Sequence, residues 1–288
     1  VADAMAVAFL LLATAILAIW LPWSPDRHRV PAPWAVLAGA AVVAATLSGL
    51  IEASGVLAIA ALWALCAGAV HLRQRGARYA AALGALALAL AFTVHAIPGL
   101  HPWVVADQIR LSADSAPMTL RLNFDKGIAG LLLLALWCHR PAGHVRHALL
   151  LGLGVGLATA VPVVGGVWAS GFIGFAPKLP AIAPAWMFAN AFLTSVMEEA
   201  LFRGLLQERL AVALGPRPSA RWLPIALASL LFGLAHAGGG PALVLAAGAA
   251  GVGYGLAYRH GGIEAAVVAH FTLNAVHFFG FTYPYAAR

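Results

Sequence analysis

Two glutamates, Glu198 and Glu199, stand side by side inside a predominantly apolar stretch. A charged side chain at mid-membrane costs about 2.5–3.5 kcal/mol on insertion scales, so two neighbours there need partners or a task. Arg203 follows Glu199 by four residues, the spacing at which a glutamate precedes its cation on one helix face. Steps of four through Glu199 give Ser195, Glu199, Arg203 and Gln207; through Glu198 they give Asn190, Thr194, Glu198 and Phe202. One helix thus carries two adjacent polar rows and must face protein or a water-filled cavity instead of lipid. Glu199 and Arg203 read as a structural pair. Glu198, whose own row holds no cation, is the group left for chemistry.

Other side chains suited to proton transfer and oxyanion stabilisation fall at comparable depth. Counted at 1.5 Å per residue from Arg209, Arg221 and His260 at the expected cytoplasmic ends of the three runs, Glu198 lies roughly 16 Å deep and His236 roughly 22 Å. By the same count His270 and Asn274, one helical turn apart, lie at about 15 and 21 Å. Four such groups on three apolar runs converge in mid-membrane. A lone histidine would read as a hydrogen-bonded core residue; the convergence argues for a site. Neither Ser195 nor Cys66 has a base at hydrogen-bonding spacing, which disfavours a nucleophilic mechanism.

The elements that must position these groups follow from composition. Of 288 residues, 62% are hydrophobic and 9% charged, whereas a soluble domain is about a quarter charged. The continuous Ala- and Leu-rich runs exclude disorder and disfavour a β-barrel, whose strands alternate. The expected fold class is all-α, a polytopic transmembrane helical bundle of about ten spans. They are placed near 4–22, 34–51, 55–72, 79–98, 119–139, 147–168, 184–207, 222–237, 241–258 and 262–280. No basic segment precedes the first run, which therefore reads as a span and not as a cleavable signal. The 99–118 segment is a long loop suited to lie on the surface or cover an opening. Small-residue runs at 79–91 and 245–256 read as helix-packing surfaces.

Fifteen of seventeen basic residues are Arg, and most sit in short loops. The loops holding Arg27 and Arg29, Arg73 to Arg78, Arg140 and Arg146, Arg209 to Arg221, and Arg259 are expected on the cytoplasmic side. Both termini would then face outward. This distribution assigns the net charge of +7 to membrane orientation and gives no nucleic-acid partner. Cys66 and Cys138 read as small hydrophobes. The expected location is the inner membrane of a bacterial cell, with the site buried in the bilayer.

Three segments, Glu198-Glu199-Ala200-Leu201-Phe202-Arg203, Phe232 to His236 and His270 to Asn274, resemble the three motifs of the CAAX-processing and bacteriocin-processing (CPBP) intramembrane proteases. These motifs run Glu-Glu-x-x-x-Arg, Phe-x-x-x-His and His-x-x-x-Asn. The resemblance covers roughly 184–280 and divides the chain into an N-terminal transmembrane extension with its outer loop, 1–118, and a protease core, 119–288. It implies an intramembrane endopeptidase of glutamic type. Glu198 would activate water, His236 would hold that water, and Asn274 with His270 would stabilise the oxyanion, while Glu199 and Arg203 support the site. No cofactor is expected. A zinc enzyme using Glu198, His236 and His270 is the nearest rival, although the His-Glu-x-x-His spacing of zinc proteases does not occur. A transporter or immunity-type membrane protein is the non-enzymatic alternative. The expected substrate is a membrane-anchored protein or peptide, because protein prenylation is not expected in a bacterium.

Overall fold

Residues 2–21, 31–138 and 145–287 are described by a computed structural model. The chain forms two compact units. The first comprises Val1–Trp103, Arg121–Trp137 and Phe192–Met197; the second comprises Val104–Leu120, Cys138–Ala191 and Glu198–Arg288.

In the first unit, α1 (Ala2–Ala18) packs on α2 (Pro33–Leu47) and α3 (Ala53–His71) on α4 (Arg75–Thr93). Alanines 81, 85 and 89 recur every four residues on the buried face of α4, and this lets a neighbouring helix approach closely. Helix α5 (Phe124–Leu136) is buried along most of its length. Its C-cap Trp137 donates Nε1–H to the Cys66 carbonyl at 2.8 Å. Two histidine–carboxyl contacts lie here as well: His95 Nδ1 to Asp125 at 2.6 Å and His101 Nε2 to Glu52 at 2.8 Å.

The second unit holds the three resembling segments. Strands β1 (Trp103–Ile109) and β2 (Met118–Leu122) pair into a hairpin. Its tip is stitched to the C-terminal segment through Ala116 N–H to the Tyr285 carbonyl and Ala287 N–H to the Asp114 carbonyl. Helix α6 (Val145–Ala169) buries Ala148, Gly152, Gly156, Ala160 and Val164, one residue every four, against α11 (Pro241–Gly280). A Cβ on Gly152 would stand 2.6 Å from the Ala265 carbonyl oxygen, and one on Gly156 2.8 Å from that of Ala269. These two glycines bring α6 against the part of α11 that carries His270. The run α11 is two helical segments joined at Gly262, whose φ of 74° and ψ of −168° leave the helical region, a conformation glycine adopts without a Cβ clash; the chain folds back there, so that Tyr254 reaches His270.

The run from 183 to 214 is helical but irregular. It passes from α7 (Ala183–Phe188) through a wide π-helical stretch (Ala189–Ser195) to α8 (Val196–Glu199). A second π-helical stretch (Ala200–Gln207) then leads into α9 (Glu208–Leu214). Such widened turns recur at functional sites. After a short 3₁₀ turn, α10 (Leu223–Ala235) ends at His236.

The structure corrects the expectation of an all-α bundle of about ten spans. Among the described residues, four helices are long and apolar enough to cross a membrane: α3, α4, α6 and α11. Helices α1, α2 and α10 are apolar but shorter, and α5 has 13 residues. Hydropathy cannot separate a lipid-facing run from an apolar helix buried in protein, and a run of 10–14 residues belongs more often to the second class. The two last expected spans are two helical segments that meet at Gly262 and pack on each other, Tyr254 of the first stacking on His270 of the second. The expected 119–139 span instead divides between β2 and α5. The 99–118 loop contains β1 and the turn of the hairpin, so the fold is not purely helical. The outward placement of both termini rested on ten crossings and falls with them. Arg27, Arg29 and Arg140, used for orientation, lie outside the described residues. The chain remains a multi-pass membrane protein by the length and composition of its helices.

Candidate active site

The second unit brings Glu198, Glu199, Arg203 and His270 together in its interior. Glu199 and Arg203 are fully buried, and Glu198 and His270 are 8% and 4% exposed. Arg203 Nε lies 3.1 Å from Glu199 Oε2. Neither of these atoms completes a hydrogen bond among the described residues, so the pair is close in distance but misaligned and is held by charge. Arg203 Nη2 donates to the Gly251 carbonyl at 3.2 Å, and one turn further Gln207 Nε2 donates to the Gly255 carbonyl at 3.0 Å. Two side chains four apart thus meet two carbonyls four apart.

His270 joins the two carboxyl groups. Its Nδ1 is 2.8 Å from Glu199 Oε1, and its Nε2 is 3.9 Å from Glu198 Oε2, too long for a direct hydrogen bond. With Glu199 ionised beside Arg203, its carboxylate only accepts, so Nδ1 carries the hydrogen. Nε2 then points toward Glu198. Tyr254 stacks flat on the imidazole, with centroids 4.5 Å apart and planes at 11°. Phe232 meets the same ring edge-on at 5.8 Å.

Phe232 organises the surrounding shell. Its ring contacts Phe202, Tyr254 and His236, and the Arg203 guanidinium lies 5.1 Å above it. Arg203 is also 5.8 Å from the Tyr254 centroid. Aromatic faces stabilise a desolvated cation that a single carboxylate would otherwise have to balance alone.

His236 and Asn274 are half-buried. His236 Nδ1 is 2.8 Å from the Phe232 carbonyl. A carbonyl only accepts, so Nδ1 donates and Nε2 of the neutral ring bears the lone pair. Asn274 donates Nδ2–H to Asn190 Oδ1 at 3.3 Å, and the amide retains a second N–H. His277 meets the Thr282 carbonyl and the Tyr283 ring. There Trp186 stacks on Phe278 at 3.9 Å and donates to the Tyr283 hydroxyl. Burial raises the pKa of that phenol and lowers that of the Lys178 ammonium. These contacts anchor the C-terminal end of α11.

Sequence reasoning missed Tyr254, the hub position of Phe232, and the pairing of Asn190 with Asn274. Tyr254 had a readable signal, as the one aromatic in the small-residue run 246–255. That run does pack helices, and it also supplies the carbonyls that receive Arg203 and Gln207. Asp125, in the first turn of α5, is 6% exposed. Among the described residues, no three of His, Cys, Asp and Glu are arranged to hold a metal ion.

Residues 180–276 match the family profile described as type II CAAX prenyl endopeptidase Rce1-like. No curated protein and no solved structure matches the chain. An Rce1-like domain is thus detected over part of the chain, within a multi-pass membrane protein. The matched stretch includes all three segments that resemble the CAAX-processing and bacteriocin-processing proteases, and the similarity points to that superfamily.

Proposed function

We propose that this protein is an intramembrane endopeptidase of the CAAX-processing and bacteriocin-processing type, cleaving a membrane-anchored protein or peptide in the inner membrane by glutamate-activated water. The observation that carries this reading is His270 set between Glu198 and Glu199 inside the Rce1-like domain. Glu198 takes a proton from water, and the hydroxide adds to the scissile carbonyl carbon. The lone pair on His236 Nε2 accepts the other water hydrogen and orients the nucleophile. The second amide N–H of Asn274 meets the developing oxyanion. Collapse of the tetrahedral adduct breaks the C–N bond, and the proton held by Glu198 passes to the leaving amine.

In this reading His270 serves Glu198, in place of the oxyanion role that the resemblance implies. An imidazole whose Nδ1–H is committed to Glu199 offers Nε2 as an acceptor toward Glu198, so His270 holds the protonated form of Glu198 after proton transfer. Glu199 and Arg203 are positioning residues that act through His270. The test is Glu198→Gln, close in shape, assayed on a membrane-anchored fluorogenic peptide. Folded protein with hydrolysis reduced roughly 10²–10⁴-fold is expected; unchanged hydrolysis overturns the proposal. Activity is expected to survive exhaustive chelation, and loss on chelation with recovery on adding zinc would assign Glu198 to a metal instead.

A further inference from the structure

Tyr254, 1% exposed, is the largest fully buried side chain of α11, yet no step of the proposed hydrolysis uses it. It stands eight residues before Gly262, and His270 stands eight residues after it. The fold-back at Gly262 therefore lays one ring on the other, with centroids 4.5 Å apart and planes at 11°. This stack acts on a freedom that the polar contacts of His270 leave open. The torsion that turns a histidine ring about its Cβ–Cγ bond is broad. Nδ1, 2.8 Å from Glu199 Oε1, fixes one edge of the ring, and the ring can still pivot about that contact. Nε2, 3.9 Å from Glu198 Oε2, is too far away to be held by a hydrogen bond.

Two aromatic surfaces close that freedom. Tyr254 covers a face of the imidazole, and Phe232 meets the ring at 88° with centroids 5.8 Å apart. Both arrangements are preferred between aromatic rings. The flat contact is the one that resists rotation, because turning the imidazole drives its edge into the stacked ring. Catalytic groups have to be held within about 0.5 Å and 10–20° of their productive geometry, and a larger pivot swings Nε2 off Glu198. On the reading of Glu198 as the base, we propose that Tyr254 is a positioning residue for hydrolysis: its ring face sets the plane of His270 and keeps Nε2 aimed at Glu198. The task belongs to the flat ring and not to the hydroxyl. The Tyr254 centroid is also 5.8 Å from the Arg203 guanidinium, so removing the ring loosens the core as well, and the two effects need separate readouts.

The full-length protein in detergent is assayed on the membrane-anchored fluorogenic peptide as Tyr254→Phe and Tyr254→Leu, each with and without His270→Ala, and folding is followed by thermal unfolding. Tyr254→Phe keeps the flat face and should hold kcat within about twofold. Tyr254→Leu keeps apolar bulk without a plane and should lower kcat roughly 10–10²-fold at little-changed KM, the scale of a catalytic group displaced by about 1 Å. With His270→Ala already present, Tyr254→Leu should cost no more than about twofold in kcat, since nothing is left to position. Tyr254→Met, a flexible filler, replaces Tyr254→Leu if that variant does not fold. A second readout is independent of hydrolysis: in NMR the stacked ring shields the His270 ring protons, identified by their loss in His270→Ala. The upfield position should persist in Tyr254→Phe and vanish in Tyr254→Leu. Equal kcat losses in both backgrounds overturn the proposal, as does a loss in Tyr254→Phe as large as in Tyr254→Leu, or an unshielded His270 in the unaltered protein. Unchanged hydrolysis in Glu198→Gln strikes the reading of the site; unchanged kcat in folded Tyr254→Leu, beside an inactive Glu198→Gln, strikes the positioning role alone.

Discussion

His270 with Glu199 and His101 with Glu52 are the same chemical contact at the same 2.8 Å. In the second unit the two side chains are 5% and 0% exposed; in the first they are 51% and 65% exposed. Water screens the exposed pair, and its value falls in the range of about 0–1 kcal/mol. The buried pair has no water to fall back on, so each charge depends on its partners: Glu199 on Arg203 and His270, and Arg203 on Phe232, Tyr254 and the Gly251 carbonyl. Distance is identical in the two places. Burial decides which pair is part of an ordered site.

That contrast is most exposed to challenge at Arg203. Arg203→Ala should destabilise the protein by about 3–5 kcal/mol, because it strands the Glu199 charge in low dielectric. Thermal unfolding in detergent measures the loss, and Glu199→Gln combined with Arg203→Gln should recover part of it. Normal folding of both single variants, with activity alone lost, would move Arg203 from support into the chemistry. Asn274→Ala should leave folding intact and lower kcat by roughly 10²-fold with little change in KM, as expected for a donor whose bond strengthens in the transition state. An increase in KM at constant kcat would make Asn274 a substrate-binding group. At the small end, His101→Ala or Glu52→Gln should shift stability by less than about 1 kcal/mol and leave hydrolysis unchanged. A loss above that figure would show that exposure does not separate the two histidine–glutamate pairs.

Much of the site is legible in the residues themselves. A glutamate pair within an apolar run, a cation four residues on, and His and Asn one turn apart on a later run can be placed by helical periodicity alone. Periodicity also has a limit at this spot. The steps of four through Glu198 assume a regular helix, whereas Ala189–Ser195 and Ala200–Gln207 form wider turns. Asn190 is therefore better described by its bond to Asn274 than by its place in a row. The fold was less legible. Apolar length suggested about ten crossings, and the helices divide instead into four of membrane-crossing length, shorter apolar ones and a buried α5.

The sequence by itself determined the class of environment and the chemical inventory. Its scarcity of charge demands an apolar surrounding, and Glu198, Glu199, Arg203, His236, His270 and Asn274 are the groups suited to chemistry that its apolar runs carry. Only the tertiary structure decided how they are wired. That His270 turns Nδ1 to Glu199 and Nε2 toward Glu198, that Tyr254 and Phe232 clamp it, and that the Gly251 and Gly255 carbonyls receive Arg203 and Gln207 depend on contacts between residues 16 to 72 positions apart. Local periodicity places a side chain on a face of its own helix. The partner across the gap is set by how closely two helices can approach, and that is a property of packing.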